Sequence, residues 1–222
     1  ERAYALRLGS AAGALPTFAA PAETDLDANA SLATFQAAFG DSSQPFGQAT
    51  PGSGITPISS TSPGQGYYSF LSAGRGGNVR VIVLDYSFAG LGETQRCWLA
   101  NQLSGAGSSG TPAIVVGDRD LAQLAGNAAE DAGEVVPILV SGTFPAGCVA
   151  SGPPAGASAY FFDFPEENRA YSLSAAGGSI PAFGTGTLGY VAPPLKRETD
   201  FVGAGGFLVA ATHQPRRRQG RD

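Results

Sequence analysis

Between residues 78 and 121 the spacing of apolar positions changes period twice. Val79, Val81, Ile82, Val83 and Leu84 form a short β-branched run that ends at Asp85, and Ala113, Ile114, Val115 and Val116 form another that ends at Gly117 and Asp118. Near-continuous apolar runs of this length suit strands covered on both faces, as in a parallel sheet. Between them Trp98, Leu99 and Leu103 recur at helical spacing, Glu93 falls in the expected first turn, and Gly105 to Gly110 is a Gly/Ser-rich exit. The pattern predicts a strand, helix, strand unit with a right-handed crossover. Both strands deliver an aspartate at the carboxyl end, where open α/β sheets place their ligands.

The flanking patterns are placed around this unit. Residues 1–12 read as the last turns of a helix stopped near Gly13, and Leu15 to Ala19 as a short strand running into Pro21 to Asp27. Leu32, Phe35, Ala38 and Phe39 make an apolar stripe on an expected helix over 28–39. Residues 41–66 are Ser, Thr, Pro, Gly and Gln with little apolar content, a loop longer than ordinary connections. Tyr67 to Phe70 predict a strand that pairs as a hairpin with 78–85 through Gly74 to Gly77. Leu121 to Ala129 read as a short helix, and Val135, Val136, Ile138, Leu139 and Val140 as a third buried strand. Short runs at Ser158 to Phe164, Ala170 to Leu173, Gly186 to Val191 and Phe207 to Ala211 imply an antiparallel return. The expected class is α/β, mixed sheets flanked by helices with an antiparallel C-terminal part.

Composition narrows the function classes. Charged residues are 14% of the 222, with 32 Gly and 16 Pro, so long loops and a weakly charged surface are expected. A net charge of −5 gives no reason to expect nucleic acid as a partner, and the basic tail at Arg216, Arg217, Arg218 and Arg221 reads as a terminal segment. No apolar run approaches the roughly 20 residues that span a bilayer. With no methionine in the chain, residue 1 is expected to be a trimmed start, with any targeting segment upstream. Cys97 and Cys148 match no metal motif and fit either two buried thiols or one disulfide. A single lysine, Lys196, in an Ala/Gly-rich chain leans toward an extracellular or cell-surface location.

The order of a strand into PAETD (21–25), YYSF (67–70), VIVLDYS (81–87), LGETQRCWLANQL (91–103), PAIVVGDRDL (112–121), ILVSG (138–142) and an antiparallel return resembles the calcineurin-like metallophosphoesterases. The resemblance covers about residues 1–190 and implies a domain over 1–195, with a C-terminal strand and tail over 196–222. It implies a partial sandwich of mixed sheets with two metal ions held by loops at the strand ends. The family's first two metal-binding loops would lie before residue 1. Where its Gly-Asn-His-Asp stands, this chain has Ala22, Glu23, Thr24 and Asp25; where Gly-His stands, Gly117 and Asp118; where Gly-His-x-His stands, Gly142, Thr143, Phe144 and Pro145.

A two-metal phosphoesterase needs imidazole and carboxylate ligands that hold its ions about 3.5 to 4 Å apart. The chain's one histidine is His213, in the tail. Asp85, Asp118 and Asp120 could instead gather with Glu23, Asp25 and Asp27 around a hard cation; alternatively Asp118 or Asp120 caps a helix starting near Leu121, and Asp25 or Asp27 one starting near Ala28. Ser-His-Asp and Cys-His arrangements lack a usable histidine, and Gly184 to Gly189 lacks the lysine of a phosphate-binding loop. Tyr160, Phe161, Phe162, Phe164 and Tyr190 read as sheet core.

The expected function is therefore a catalytically inactive phosphoesterase-like domain, without catalytic residues or cofactor, acting as a structural or binding module of a larger exported protein. The alternative is an active metal-dependent phosphoesterase, using divalent ions and completed by an N-terminal segment or another chain. Either way, a second polypeptide segment is expected along Leu15 to Ala19 or Ala113 to Val116, because strands apolar on both faces need covering and an open edge needs pairing.

Overall fold

Tyr68–Gly74 (β1) and Gly77–Val83 (β2) pair antiparallel, with Tyr68 opposite Val83 and Phe70 opposite Val81. The computed structural model describes residues 20–21, 26, 31–33, 35, 66–74, 77–87, 90–122, 127–163 and 169–185. Gly77 sits at the turn with φ 111, a conformation glycine adopts without steric cost. The expected hairpin is present.

The central unit also forms as the pattern predicts. Gly92–Ser108 (α1) connects β2 to Ala113–Gly117 (β3), and β2 and β3 are parallel, with Val83 opposite Val116. Leu99 and Leu103 are fully buried beneath the helix and Trp98 nearly so. The Trp98 ring lies 4.8 Å, centroid to centroid, from that of Tyr67.

The run at Val135 to Val140 is not a strand. It is the second half of Asn127–Ser141 (α2), and Leu121 and Ala122 lie in a turn rather than in a helix running to Ala129. Val135, Ile138 and Leu139 are buried while Gly133 and Glu134 are exposed, so the apolar positions follow a spacing of three and four. The run contains Pro137, which a central strand tolerates poorly because it cannot donate to the ladder. Gly142, at φ 69, ends the helix, and its N–H donates to the Ile138 carbonyl at 2.8 Å.

The return is mixed rather than antiparallel. Ala159–Asp163 (β4) lies parallel to β3 on one side and to Gly178–Thr185 (β6) on the other. Arg169–Ala175 (β5) pairs antiparallel with β6. The described residues thus form one six-stranded mixed sheet, in the order β1-β2-β3-β4-β6-β5, and two long helices. The strand at Ala113 to Val116 is interior, paired with β2 and β4, so it cannot receive a second polypeptide along its edge. The expected strand at Leu15 to Ala19, the loop over 41–65 and the runs at Gly186 to Val191 and Phe207 to Ala211 lie outside the described residues.

Two apolar clusters position the sheet. One joins Ile82, Leu84, Val115, Tyr160, Phe162, Leu173 and Ile180 to Leu99, Leu103, Ile138 and Leu139 of the helices. The other joins Tyr68, Phe70 and Val83 to Leu32 and Phe35, so both faces of the β1–β2 half are covered. Ala33 and Phe35 are helical, consistent with the expected stripe; Ala38 and Phe39 lie outside the described residues. Cys97 and Cys148 form a disulfide that ties α1 to the segment after α2.

Candidate functional site

The loops after β2 and β3 leave adjacent parallel strands at their carboxyl ends, which sets Asp85 and Asp118 on the same rim of the sheet. The Leu84 N–H continues the ladder by donating to the Val116 carbonyl at 2.8 Å, and the chain turns away at Asp85.

Asp85 is 6% exposed, and both carboxylate oxygens have protein donors. Oδ2 accepts from the Gly66 N–H at 3.0 Å. Oδ1 accepts from the Ser87 N–H at 3.0 Å and from the Ser87 hydroxyl. Its main chain is held as well. The Asp85 N–H donates to Gln95 Oε1 at 2.8 Å, and Gln95 Nε2 donates to the Asp85 carbonyl at 3.0 Å. Gln95 is itself buried on α1, so the loop is fixed to the first turns of the helix that follows it. A side chain at Gly66 would strike the Asp85 carboxylate and come within 2.7 Å of Pro21, which places Pro21 beside this loop.

The loop after β3 is closed from the far side of the sheet. Asp120, 7% exposed, accepts from the Ala122 N–H at 3.0 Å, from the Tyr171 hydroxyl, and from Arg169 Nη1 at 3.1 Å. The bond to Ala122, two residues on, closes an Asx-turn and not a helix cap, since Leu121 and Ala122 lie in a turn, while Arg169 and Tyr171 come from β5, two strands beyond β4. The Tyr160 hydroxyl donates to the Arg119 carbonyl at 2.7 Å. The Arg119 guanidinium stands 5.8 Å from the centre of the Tyr86 ring. Gly117 is needed here, since a Cβ would lie 2.7 Å from the Tyr160 hydroxyl and 3.0 Å from Tyr86.

These surroundings keep the phenols protonated. Burial raises the Tyr160 phenol well above its ordinary range, and the nearby Tyr86, Tyr171 and Asp118 add to the effect. Burial also raises Tyr171, reinforced by its hydrogen bond to the Asp120 carboxylate. A phenol that donates to a carboxylate must hold its proton to do so.

The other sequence-derived positions do not join this rim. Gly142, Thr143 and Pro145 follow α2 rather than a strand. They lie toward the opposite end of the sheet: the Ala157 N–H donates to the Leu139 carbonyl, and the Ser158 N–H donates to that of Ala113, the first residue of β3. Ala22, Glu23, Thr24 and Asp25 lie outside the described residues, as does His213. Sequence reasoning missed Gln95, Arg169 and Tyr171. Gln95 lies within LGETQRCWLANQL, where nothing local marks the backbone it binds, and the pairing that brings Arg169 and Tyr171 to the rim depends on β6, a strand masked in the pattern by Pro181, Gly178 and Gly184.

The described residues do not by themselves supply the two-metal site that the resemblance implies. Asp85 has no oxygen without a protein donor, and Asp120 already carries a guanidinium. Among the described residues no group of three or more His, Cys, Asp or Glu side chains is placed to hold a metal ion. Ser87, whose hydroxyl donates to the Asp85 carboxylate, is fully buried. No family model matches the chain, and no curated protein or solved structure does so either.

Proposed function

We propose that the chain is a catalytically inactive, phosphoesterase-like domain that serves as a structural or binding module of a larger, exported protein. The observation that carries this reading is the double commitment of Asp85 and Asp120. Each buried carboxylate at the ligand-binding end of the sheet satisfies donors from its own chain, and Asp120 is neutralised by Arg169. Hydroxide generation on paired metal ions needs several such oxygens turned toward the ions instead. The Cys97–Cys148 disulfide supports export, because such bonds persist in oxidising compartments. No described helix is long and apolar enough to cross a membrane. The net charge of −5 gives no reason to expect nucleic acid as the partner.

The test is hydrolysis of generic phosphomonoesters and phosphodiesters by the purified chain with manganese, zinc or magnesium supplied. No turnover above buffer is expected with any of the three. Turnover that a chelator abolishes and the metal restores would establish the active phosphoesterase instead.

A further inference from the structure

Residues 142–156 form a loop whose ends meet and whose tip is stapled. A Cβ at Gly142 would strike the backbone of Ala155, and one at Gly156 would strike the Val140 carbonyl, so the two ends of the loop are in contact. Beyond that neck the chain lies along one stripe of α1. Gly147 stands beside Glu93, Cys148 is bonded to Cys97, and Asn101 receives the next residues. Asn101 Nδ2 donates to the Val149 carbonyl at 3.1 Å, and the Ser151 N–H donates to Asn101 Oδ1 at 2.8 Å. Gly152 packs on Ser104 and Ser108, and Ala155 on Gly107. Glu93, Cys97, Asn101, Ser104 and Ser108 recur at three or four residues, so the loop follows a single face of the helix turn by turn.

Very little of this contact is apolar. Among residues 145–154 none is part of the apolar clusters, and Val149 at the tip is 85% exposed. The neck is different. Phe144 packs on the main core, and the backbone bonds of Gly142 to Ile138 and Ala157 to Leu139 anchor the two sides. A segment with polar contacts, exposed backbone and a single covalent tether is the kind of unit that opens without the rest of the fold.

We propose that the Cys97–Cys148 bond is a thiol-sensitive latch, and that its reduction frees the tip of the loop, residues 146–152, from α1 while the sheet stays folded. The reductant is a dithiol. Its two sulfurs become a disulfide, giving up two electrons and two protons. The Cys97–Cys148 bond breaks, and the two cysteines take those electrons and protons as thiols. Both cysteines are partly exposed, so a small thiol can reach them.

The experiment compares the oxidised chain, the chain reduced with dithiothreitol, and the Cys97→Ser/Cys148→Ser variant by amide hydrogen exchange, with thermolysin cleavage before Val149 as a second readout. On reduction the Cys148 and Ser151 amides are expected to exchange about tenfold faster or more, and cleavage to appear, while amides of β2, β3 and β4 stay protected. Reoxidation should restore the starting pattern, and the double serine variant should match the reduced chain. Unchanged loop protection after reduction would overturn the latch, because Asn101 alone would then suffice. Loss of protection in the loop and the sheet together would overturn it equally, because the bond would then hold the whole fold.

Discussion

Gln95 grips the backbone of Asp85 from both sides, accepting from its N–H at 2.8 Å and donating to its carbonyl at 3.0 Å. The pair replaces, at the point where β2 leaves the sheet, the bonds that a neighbouring strand would have made. Buried main-chain groups need such partners. The Gln95→Ala substitution leaves an N–H and a carbonyl unsatisfied in a buried site and should cost about 2 to 4 kcal/mol. Urea denaturation would show it as a lower midpoint with an unchanged slope. A loss below about 0.5 kcal/mol would mean that water reaches the loop and the grip is dispensable.

Tyr171 predicts an alkaline limit to stability. Its phenol is raised in the folded state above its unfolded value, so the stabilisation is fully present below the unfolded pKa of about 10 and is lost as pH rises through the folded value. Tyr160 shifts in the same direction. Unfolding free energy should therefore fall above about pH 10. The Tyr171→Phe variant should fall less steeply, by up to one proton, because Tyr160 still contributes. Equal alkaline slopes in the two proteins would show that Tyr171 ionises as freely in the fold as in the unfolded chain.

Gly117 tests the packing where the two rim loops meet. A Cβ there would lie 2.7 Å from the Tyr160 hydroxyl, so Gly117→Ala should cost about 1 to 3 kcal/mol by overpacking. Adding Tyr160→Phe removes the obstructing oxygen. The double variant should then lose less than the sum of the single losses, as contacting residues do. Strict additivity would place the clash elsewhere.

The sequence carried most of what local pattern and chain order can encode. The hairpin at Gly74 to Gly77 and the unit from Val79 to Val116 were readable because turn residues, β-branched runs and a helical stripe agreed with one another. The run at Val135 to Val140 misled because five apolar residues in six suit a buried strand or a buried helix equally well. Pro137 speaks against a central strand without favouring a helix interior, so the preceding Ala/Glu/Asp stretch was the positive signal for a helix. The parallel placement of β4 and the insertion of β6 between β4 and β5 set no local pattern at all. The rim followed the same division. That Asp85 and Asp118 share one end was implied by strand direction, whereas the partners that occupy Asp85 and Asp120 come from Gly66, Arg169 and Tyr171, brought in by pairings distant in sequence.

The most direct measurement is metal content and metal affinity of the purified chain. Elemental analysis after expression in metal-replete medium should find zinc, manganese and iron well below one per chain. Calorimetric titration with manganese should show no stoichiometric binding, because Asp85 would have to release Gly66 and Ser87, and Asp120 would have to release Arg169. Two tightly bound transition metal ions per chain, lost together on substitution of Asp85 and Asp120 by Asn, would contradict the inactive-module reading outright.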